Sequence, residues 1–405
     1  MTEVVGLCFP VKPRTSVRRL AVQVCYTSHE STGVEIAVFD DRAIQTPKGG
    51  DWHANCALSP VQANLGNERK MKIIIFDIEK WERATFDSLE EDHDLTFVHE
   101  PLSEANASDY ADAEIISVFV KSQVDKEVLA AMPDLKAVAT RSTGFDHIDR
   151  ECCKERDIQI AYVPSYGDNT VASHTIGLLL NIAHRISDGV DRTRKGGFSN
   201  KGLRGFDVTG KRIGVIGASG NIGRHVVTMA KGLGMEVLGF DVVKDEDFAE
   251  KAGFEYVTMD DLLERGDVVT IHVPQNEKTK NMINDEAFRK MRDGVVFLNT
   301  SRGGVVDEHA LLKAINEDRV SAAGLDVLGA EPTIREEAEL LRSAVEDEDK
   351  WGELLANEML LRLRNVYVTP HNAFNTKEAV QRILDVTFEN LKGFVSGEPV
   401  NLVED

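Results

Sequence analysis

A glycine-rich turn between an apolar strand and a helix constrains this fold more than any other feature of the sequence. Residues 211–223 read K-R-I-G-V-I-G-A-S-G-N-I-G, a buried-strand pattern that runs into Gly217, Gly220 and Gly223, with a helix predicted over 224–234. Glycines at such a turn allow positive φ and let backbone N–H groups approach a pyrophosphate at the positive end of the helix. The segment therefore predicts a dinucleotide-binding βαβ unit.

Asp241 supports this interpretation because it ends the next strand pattern, E-V-L-G-F-D. An acid at this place hydrogen-bonds an adenosine ribose and repels a 2′-phosphate, so NAD rather than NADP is the predicted cofactor. The spacing G-x-x-G-x-x-G has one residue more than the usual G-x-G-x-x-G, which predicts a looser grip on the pyrophosphate. A glycine turn without a ligand is the alternative, but the strand, helix and acid together favour the cofactor.

Alternating strand and helix patterns define two series along the chain, one over 72–163 and one over 211–370. Such alternation predicts two doubly wound parallel sheets with helices on their faces. A final helix predicted over 376–395 is too short for a domain and is placed back on the first series. The second series is then an insertion, and the chain crosses between the sheets near Asn169 and His371, where a cleft is expected.

The predicted boundaries follow from these crossings. The substrate domain comprises 71–170 and 372–405, and the NAD-binding domain comprises 171–371. Residues 1–70 lack a convincing series of elements and are interpreted as a disordered leader or an over-extended translation start, with a small accessory domain as the alternative. The acidic helical segment 333–364 is interpreted as a solvated surface insertion or part of a subunit contact.

Composition excludes several classes of protein. The net charge of −21 argues against a nucleic-acid partner, so an anionic substrate must meet a local cation. Five cysteines form neither a disulfide framework nor a C-x-x-C pair, which predicts reduced thiols and no bound metal. The sequence has neither a membrane-length apolar run nor a signal peptide, so we expect a cytoplasmic protein without a membrane partner.

Arg302, Glu331 and His371 each follow a buried-strand pattern, and parallel strands bring such positions to one edge of a sheet. Hydride transfer to a 2-oxo acid needs a cation for the carboxylate and a proton donor for the carbonyl oxygen. Arg302 can bind the carboxylate, His371 can donate the proton, and Glu331 can favour the protonated imidazole. Taken singly, Arg302 could form a surface ion pair, Glu331 could begin a helix and His371 could lie in a capped turn. Their joint placement at strand ends of one predicted sheet favours a catalytic role.

A fourth candidate is the segment T-R-S-T-G-F-D-H-I-D over 140–149, which follows a strand pattern of the first series. Its small residues and Gly144 suit a turn whose N–H groups could hold a carboxylate from across the cleft. The alternative is an ordinary helix start with Asp146 and Asp149 in its first turn.

Together these motifs identify a resemblance: residues 71–405 are similar to the D-isomer-specific 2-hydroxyacid dehydrogenases. The matching blocks are R-S-T-G-F-D-H-I-D, V-P-S-Y-G-D-N-T-V-A-S-H-T, the glycine turn, H-V-P-Q-N-E-K-T-K-N-M-I-N, L-N-T-S-R-G-G-V-V-D-E-H-A-L, A-G-L-D-V-L-G-A-E-P and T-P-H-N-A-F-N-T. The resemblance implies a Rossmann-like NAD domain inserted into a flavodoxin-like substrate domain, NAD in the cleft, and a homodimer.

The resemblance also implies roles for individual residues. It assigns substrate binding to Arg302, tuning of the histidine to Glu331 and acid–base catalysis to His371. On the substrate side it adds Thr143, Gly144 and Tyr166. The residues that should line the cofactor are Gly217, Gly220, Asn221, Ile222, Gly223, Asp241, Val273, Pro274, Thr279, Thr300, Ser301 and Asp326.

The closing block T-P-H-N-A-F-N-T resembles the D-lactate and D-2-hydroxyisocaproate branch, whereas phosphoglycerate dehydrogenases usually continue with I-G-G. Asn375 stands where the lactate branch usually has a tyrosine, and Ser173 replaces a common acid. The prediction is an NAD-dependent enzyme that reduces pyruvate or a larger 2-oxo acid. The alternatives are a hydroxypyruvate/glyoxylate reductase, a phosphoglycerate dehydrogenase or, in another class, an NAD(H)-sensing interaction protein like the corepressors of this fold.

Overall fold

The structure, a computed structural model, describes residues 70–329 and 348–404 together with two short strands near the amino terminus. These strands, β1 (Ala21–Val24) and β2 (Ile36–Phe39), pair antiparallel. The chain divides into two units, Met1–Glu68 and Arg69–Asp405. Apart from β1 and β2, the predicted leader lies outside the described residues. Its interpretation stays a prediction.

The first series forms a five-stranded parallel sheet in the order β4-β3-β5-β6-β7, the flavodoxin-like order. Its inner strands are buried along their length because helices and loops cover both faces. The strands are β3 (Lys72–Ile75), β4 (Asp94–Phe97), β5 (Ile115–Val118), β6 (Ala137–Thr140) and β7 (Gln159–Ala161). The helices are α1 (Asp87–Asp92), α2 (Lys126–Ala131) and α3 (Arg150–Glu155).

Two consecutive helices, α4 (Asp168–His184) and α5 (Ile186–Arg194), follow β7. The amphipathic pattern predicts one helix over 170–195, but the structure interrupts it at Arg185, which has φ +51°. A left-handed residue cannot continue a right-handed helix, and here it caps the end of α4. The next segment packs against this end, with the Phe206 N–H donating to the Ala183 carbonyl at 2.9 Å.

The second series forms a seven-stranded parallel sheet in the order β10-β9-β8-β11-β12-β13-β14, a Rossmann order with one added strand. The strands are β8 (Arg212–Ile216), β9 (Glu236–Phe240), β10 (Glu255–Tyr256), β11 (Val268–Ile271), β12 (Val295–Asn299), β13 (Val320–Leu325) and β14 (Val366–Val368). The helices are α6 (Asn221–Gly232), α7 (Glu246–Ala252), α8 (Met259–Arg265), α9 (Asp285–Lys290), α10 (Glu308–Asn316) and α11 (Glu348–Arg362). The sequence did not predict β10, because its two residues are too few to show the alternation of apolar and polar residues that marks a strand.

The last helix, α12 (Lys377–Ser396), packs on the five-stranded sheet. Its buried Val380 and Leu384 share a core with Ile73 and Ile75 of β3. The chain thus leaves the first sheet after β7 and returns to it after β14. This confirms the predicted fold class, in which two doubly wound parallel sheets are combined by insertion, while the domain boundaries stay predictions.

Helix α11 changes the interpretation of the acidic segment 333–364. Ala356 and Leu360 are buried, and Leu360 belongs to the core shared with α10 and β13. This half of the segment is therefore part of the domain rather than a solvated insertion, and the half before Glu348 lies outside the described residues. Among the described helices, none is both long and apolar enough to cross a bilayer.

Candidate active site

The glycine turn lies between β8 and α6 and is shaped by close backbone approaches. Gly217 has φ +89°, and its N–H donates to the Phe240 carbonyl at 2.8 Å. A Cβ on Gly217 would overlap the carbonyl oxygen of His272, and one on Gly223 would overlap that of Gly217. Both positions therefore require glycine.

The N-terminus of α6 offers open backbone donors. The helix begins at Asn221, earlier than predicted, and its N-cap Gly220 has no capping side chain. The first backbone hydrogen bond of the helix is donated by the Arg224 N–H to the Gly220 carbonyl at 3.0 Å. Within the described part of the chain, the N–H groups of Asn221, Ile222 and Gly223 have no backbone partner and are the free donors of a helix start. Such donors at the positive end of a helix fit the pyrophosphate of NAD.

Replacing Gly223 with Ala is expected to lower the free energy of unfolding by about 1–3 kcal/mol, because the new Cβ would overpack against a backbone carbonyl. Gly220→Ala is the matched control, since Gly220 has φ −67° and its Cβ would meet the Gly217 oxygen at 3.3 Å. Urea unfolding followed by circular dichroism measures the difference. Equal stability of the two variants would contradict this account of the turn.

Asp241 follows β9, and its carboxylate is bonded to the lengthened turn. One oxygen accepts the N–H of Ser219 at 2.8 Å, and the other accepts that of Val243 at 3.2 Å. The Ser219 hydroxyl lies 2.7 Å from the hydroxyl of Tyr256. An ionised carboxylate accepts about four hydrogen bonds, so these contacts leave sites for a ribose hydroxyl.

Val273, Pro274 and Thr279 form one loop at the carboxyl edge of the seven-stranded sheet, after β11. The Thr279 hydroxyl donates to the Pro274 carbonyl at 2.6 Å and accepts the Asn276 N–H at 2.8 Å. The Val273 side chain lies beside Gly217, where an added Cβ would meet it at 3.1 Å. The structure therefore places this loop against the glycine turn.

Thr300 and Ser301 follow β12 at the same edge, and both are buried. The Thr300 hydroxyl lies 2.8 Å from that of Thr175 on α4, and the Ser301 hydroxyl donates to the Asn299 side chain at 2.8 Å. Both hydroxyls are thus hydrogen-bonded within the protein, and each keeps acceptor capacity for a further partner.

Asp326 follows β13 and organises the loop after β14. Its carboxylate, 1% exposed, accepts the Thr369 hydroxyl at 2.5 Å and the N–H groups of Asn372 and Ala373 at 2.8 and 2.9 Å. His174 on α4 lies 3.5 Å from the same carboxylate. A carboxylate with this many backbone donors fixes the conformation of the loop.

His371 lies within this loop in a left-handed conformation, with φ +49°. Its N–H donates to the backbone carbonyls of Asp326 and Thr369, both at 2.9 Å. Asp326 therefore positions the backbone that presents the imidazole. Glu331 lies outside the described residues, so its pairing with His371 stays a prediction.

Arg302 follows β12 and extends to the loop after β6 in the other sheet. Its carbonyl accepts the Asn299 side chain at 3.0 Å, which fixes its backbone. Its guanidinium lies against Gly144, in space that a Cβ there would fill, and its Nε is 3.6 Å from Asp146 Oδ2. The structure thus brings together two predicted substrate-binding elements from different sheets.

The segment 142–148 is a loop, and Asp149 is the N-cap of α3, where its side chain accepts the Cys152 N–H at 2.9 Å. The helix-start alternative therefore holds for Asp149 but not for Asp146, which lies in the loop. The Thr143 hydroxyl donates to the Val163 carbonyl at 2.8 Å, and the Ser142 hydroxyl donates to the Gly144 carbonyl at 2.5 Å. These two bonds engage the carbonyls of Val163 and Gly144 within the protein. The loop therefore has a fixed backbone next to Arg302.

His147 extends this hydrogen-bonded chain into the protein. Its Nε2 lies 3.1 Å from the Thr140 hydroxyl, which lies 2.7 Å from that of Ser142. Burial lowers the pKa of His147 to about 4, with Asp146 opposing the shift and Arg302 adding to it. The imidazole is therefore neutral near pH 7 and acts as a structural support.

Tyr166, predicted on the substrate side, belongs to an aromatic cluster that includes Phe374 and Phe119. The Tyr166 and Phe374 rings meet edge to face at 6.3 Å, and Phe374 meets Phe119 in the same way at 5.4 Å. Burial raises the pKa of Tyr166, Arg302 opposes the shift and Asp168 adds to it. The Tyr166 hydroxyl is therefore within electrostatic range of Arg302, and the cluster connects it to the His371 loop.

Asn375 and Ser173, the two departures from the family pattern, are bonded locally. The Asn375 amide donates to the Asn372 side chain at 2.9 Å on the exposed part of the loop. The Ser173 hydroxyl donates to the Thr170 carbonyl at 2.8 Å within α4.

Arg141 is a functional candidate that sequence reasoning missed. Its guanidinium is buried and donates to the carbonyls of Phe76 and Asp77 at 2.7 and 2.6 Å, and it lies 5.7 Å from the Phe119 ring. Burial lowers its pKa to about 10, so it stays charged. It ties the ends of β3 and β5 to the start of the substrate loop. A basic residue directly after an apolar strand was the available signal.

Similarity to known proteins agrees with this geometry. Residues 176–373 match the NAD-binding domain of the D-isomer-specific 2-hydroxyacid dehydrogenases. A 2-hydroxyacid dehydrogenase homolog of Haemophilus influenzae is 35% identical over 81% of this chain and 97% of its own length. A glyoxylate reductase of Korarchaeum cryptofilum is 35% identical over 72% of this chain and 83% of its own length.

Among solved structures, the D-lactate dehydrogenase of Aquifex aeolicus, complexed with NAD and lactic acid, superposes with a TM-score of 0.70. It is 34% identical, and the match covers 81% of this chain and 96% of that one. The predictions of family, enzyme class and cofactor are confirmed by these matches. The chain belongs to the D-isomer-specific 2-hydroxyacid dehydrogenases and is an NAD-dependent oxidoreductase.

Proposed function

We propose that this dehydrogenase interconverts a 2-oxo acid and its D-2-hydroxy acid, with pyruvate or a somewhat larger 2-oxo acid as substrate. The observation that carries the proposal is the Arg302 guanidinium against the Gly144 loop, where the two sheets meet. A guanidinium binds a carboxylate at two points, and the backbone of Thr143 and Gly144 can add N–H donors. These groups would bind the substrate carboxylate.

The proton is proposed to move through His371. When bound, NADH supplies the hydride, and the glycine turn and Asp241 would hold the NADH. His371 would then protonate the carbonyl oxygen as general acid, and Glu331 would keep the imidazole protonated between turnovers. Asp326 fixes the loop that carries His371, so the backbone that presents the imidazole is held in place before the substrate arrives.

The aromatic cluster supports a substrate with an apolar side chain. Phe119, Tyr166 and Phe374 are only partly buried, and they come from loops next to the Arg302 junction. Aromatic rings contribute large apolar contact areas, which favours an alkyl group over a second charge. The D-lactate dehydrogenase relative supports this choice, and the glyoxylate reductase relative supports the alternative. The homodimer and the cytoplasmic location remain predictions.

A panel of 2-oxo acids tests the proposal. With NADH, kcat/KM is expected to be higher for pyruvate, 2-oxobutyrate or 2-oxoisocaproate than for glyoxylate and hydroxypyruvate, and NADPH is expected to be a poor substitute because of Asp241. Chiral chromatography should find the D-product. A much higher kcat/KM for hydroxypyruvate would favour the reductase alternative, and a much higher kcat/KM for 3-phosphohydroxypyruvate would favour the phosphoglycerate dehydrogenase alternative. Tight NADH binding without turnover would favour a sensing protein.

A further inference from the structure

Asp146 is a carboxylate at the edge of the proposed substrate site to which the reaction assigns no role. Its Oδ2 lies 3.6 Å from Arg302 Nε, and its side chain is 72% exposed against 35% for Arg302. The two residues come from opposite sheets, Asp146 from the loop after β6 and Arg302 from the end of β12. In the absence of substrate, Asp146 is therefore the counterion of the guanidinium.

Among the ion pairs of the described residues, Asp146 is paired with Arg302 and with no second cation. Asp168, in the first turn of α4, acts electrostatically on the Tyr166 hydroxyl, as does Arg302. Arg141 also lies near this edge, but its guanidinium is buried and donates to backbone carbonyls. Arg382 on α12 lies nearer to Asp168, because its Nε donates to the Tyr166 carbonyl at 2.5 Å. A substrate that neutralises Arg302 with its own carboxylate would therefore leave Asp146 without a paired cation among the described residues.

We propose that Asp146 is a specificity residue that restricts the site to 2-oxo acids carrying a single negative charge. This inference rests on the proposed function, in which Arg302 binds the substrate carboxylate. The first carboxylate replaces Asp146 as the partner of Arg302. A second carboxylate or a phosphate on the substrate then meets Asp146 as a like charge at the rim of the site, and its binding is disfavoured.

The size of the effect follows from Coulomb's law. Two unit charges about 6–8 Å apart, in surroundings between water and a protein surface, change an equilibrium constant by roughly 2- to 100-fold. Because Asp146 is exposed, mobile ions screen it, so the discrimination should weaken at high salt.

Asp146→Asn removes the charge and nearly preserves the shape. We compare kcat/KM for oxaloacetate, a dianion, with that for 2-oxoisocaproate, which has an isopropyl group in place of the second carboxylate. The full-length variant is expected to raise the oxaloacetate to 2-oxoisocaproate ratio by about tenfold. Asp146→Glu, which keeps the charge, should retain the wild-type ratio, and high salt should raise the wild-type ratio toward that of Asp146→Asn.

The matched control is Glu151→Gln, which removes the same charge from the exposed first turn of α3 and should leave the ratio unchanged. If Asp146→Asn lowers kcat/KM for both acids equally, or leaves the ratio unchanged, the residue only positions Arg302 and the inference is overturned. Failure of the wild type to reduce any 2-oxo acid of the panel with NADH, pyruvate included, would instead overturn the proposed function on which the inference rests.

Discussion

Replacing His371 with Asn is expected to lower kcat for 2-oxo acid reduction by about 10²- to 10⁴-fold, the usual contribution of a general acid. Asn is the informative substitution because His371 has φ +49°, a left-handed conformation that Asn tolerates better than Ala. The backbone bonds from the loop to Asp326 should therefore survive. Stopped-flow and steady-state assays measure kcat, and fluorescence titration should give an unchanged Kd for NADH.

The matched control is His309→Asn, since His309 is exposed on α10 and the proposed chemistry assigns it no role. Its kcat should equal that of the wild type. A His371→Asn enzyme that retains more than about a tenth of wild-type kcat would exclude His371 as the proton donor.

Arg302→Met is expected to lower kcat/KM for the 2-oxo acid by about 10²-fold or more, because loss of one member of a hydrogen-bonded charge pair leaves the substrate carboxylate unpaired. The kcat/KM of Arg302→Lys should lie between those of Arg302→Met and the wild type, since lysine keeps the charge but cannot bind a carboxylate at two points. Initial rates over a range of 2-oxo acid concentrations measure the loss. The Kd for NADH should stay unchanged.

Arg362→Met provides the control, because Arg362 is 82% exposed on α11 and pairs only with Glu358 among the ion pairs of the described residues. If Arg302→Met weakened NADH binding and left KM for the 2-oxo acid unaltered, Arg302 would belong to the cofactor site instead.

Much of the fold could be predicted because its strands are short apolar runs followed by punctuating residues. The pattern K-R-I-G-V-I-G located β8, the turn and α6 together, since a buried strand, a positive-φ glycine and a helix start each leave a local signal. The positions of Arg302 and His371 were predictable for the same reason: each follows a strand, and parallel strands end at one edge.

The remaining features depend on contacts between distant segments. The break at Arg185 depends on the later packing of Phe206 against the end of α4, which periodicity cannot show. The Arg302–Asp146 pair joins two sheets whose strands are separately predictable but whose relative placement is not. The contact between Phe119 and Phe374 likewise brings together the loop after β5 and the loop before α12. Local patterns specify elements, whereas packing between sheets specifies the site.

The return of α12 to the five-stranded sheet has a consequence for protein synthesis. A ribosome completes β3 to β7 long before it reaches Lys377, so the face that carries Ile73, Ile75 and Ala139 is made without its covering helix. That apolar face remains uncovered while the whole seven-stranded sheet is translated. We therefore expect the nascent chain to expose this apolar face for most of its elongation, and a chain truncated before α12 to aggregate more readily than the full-length protein.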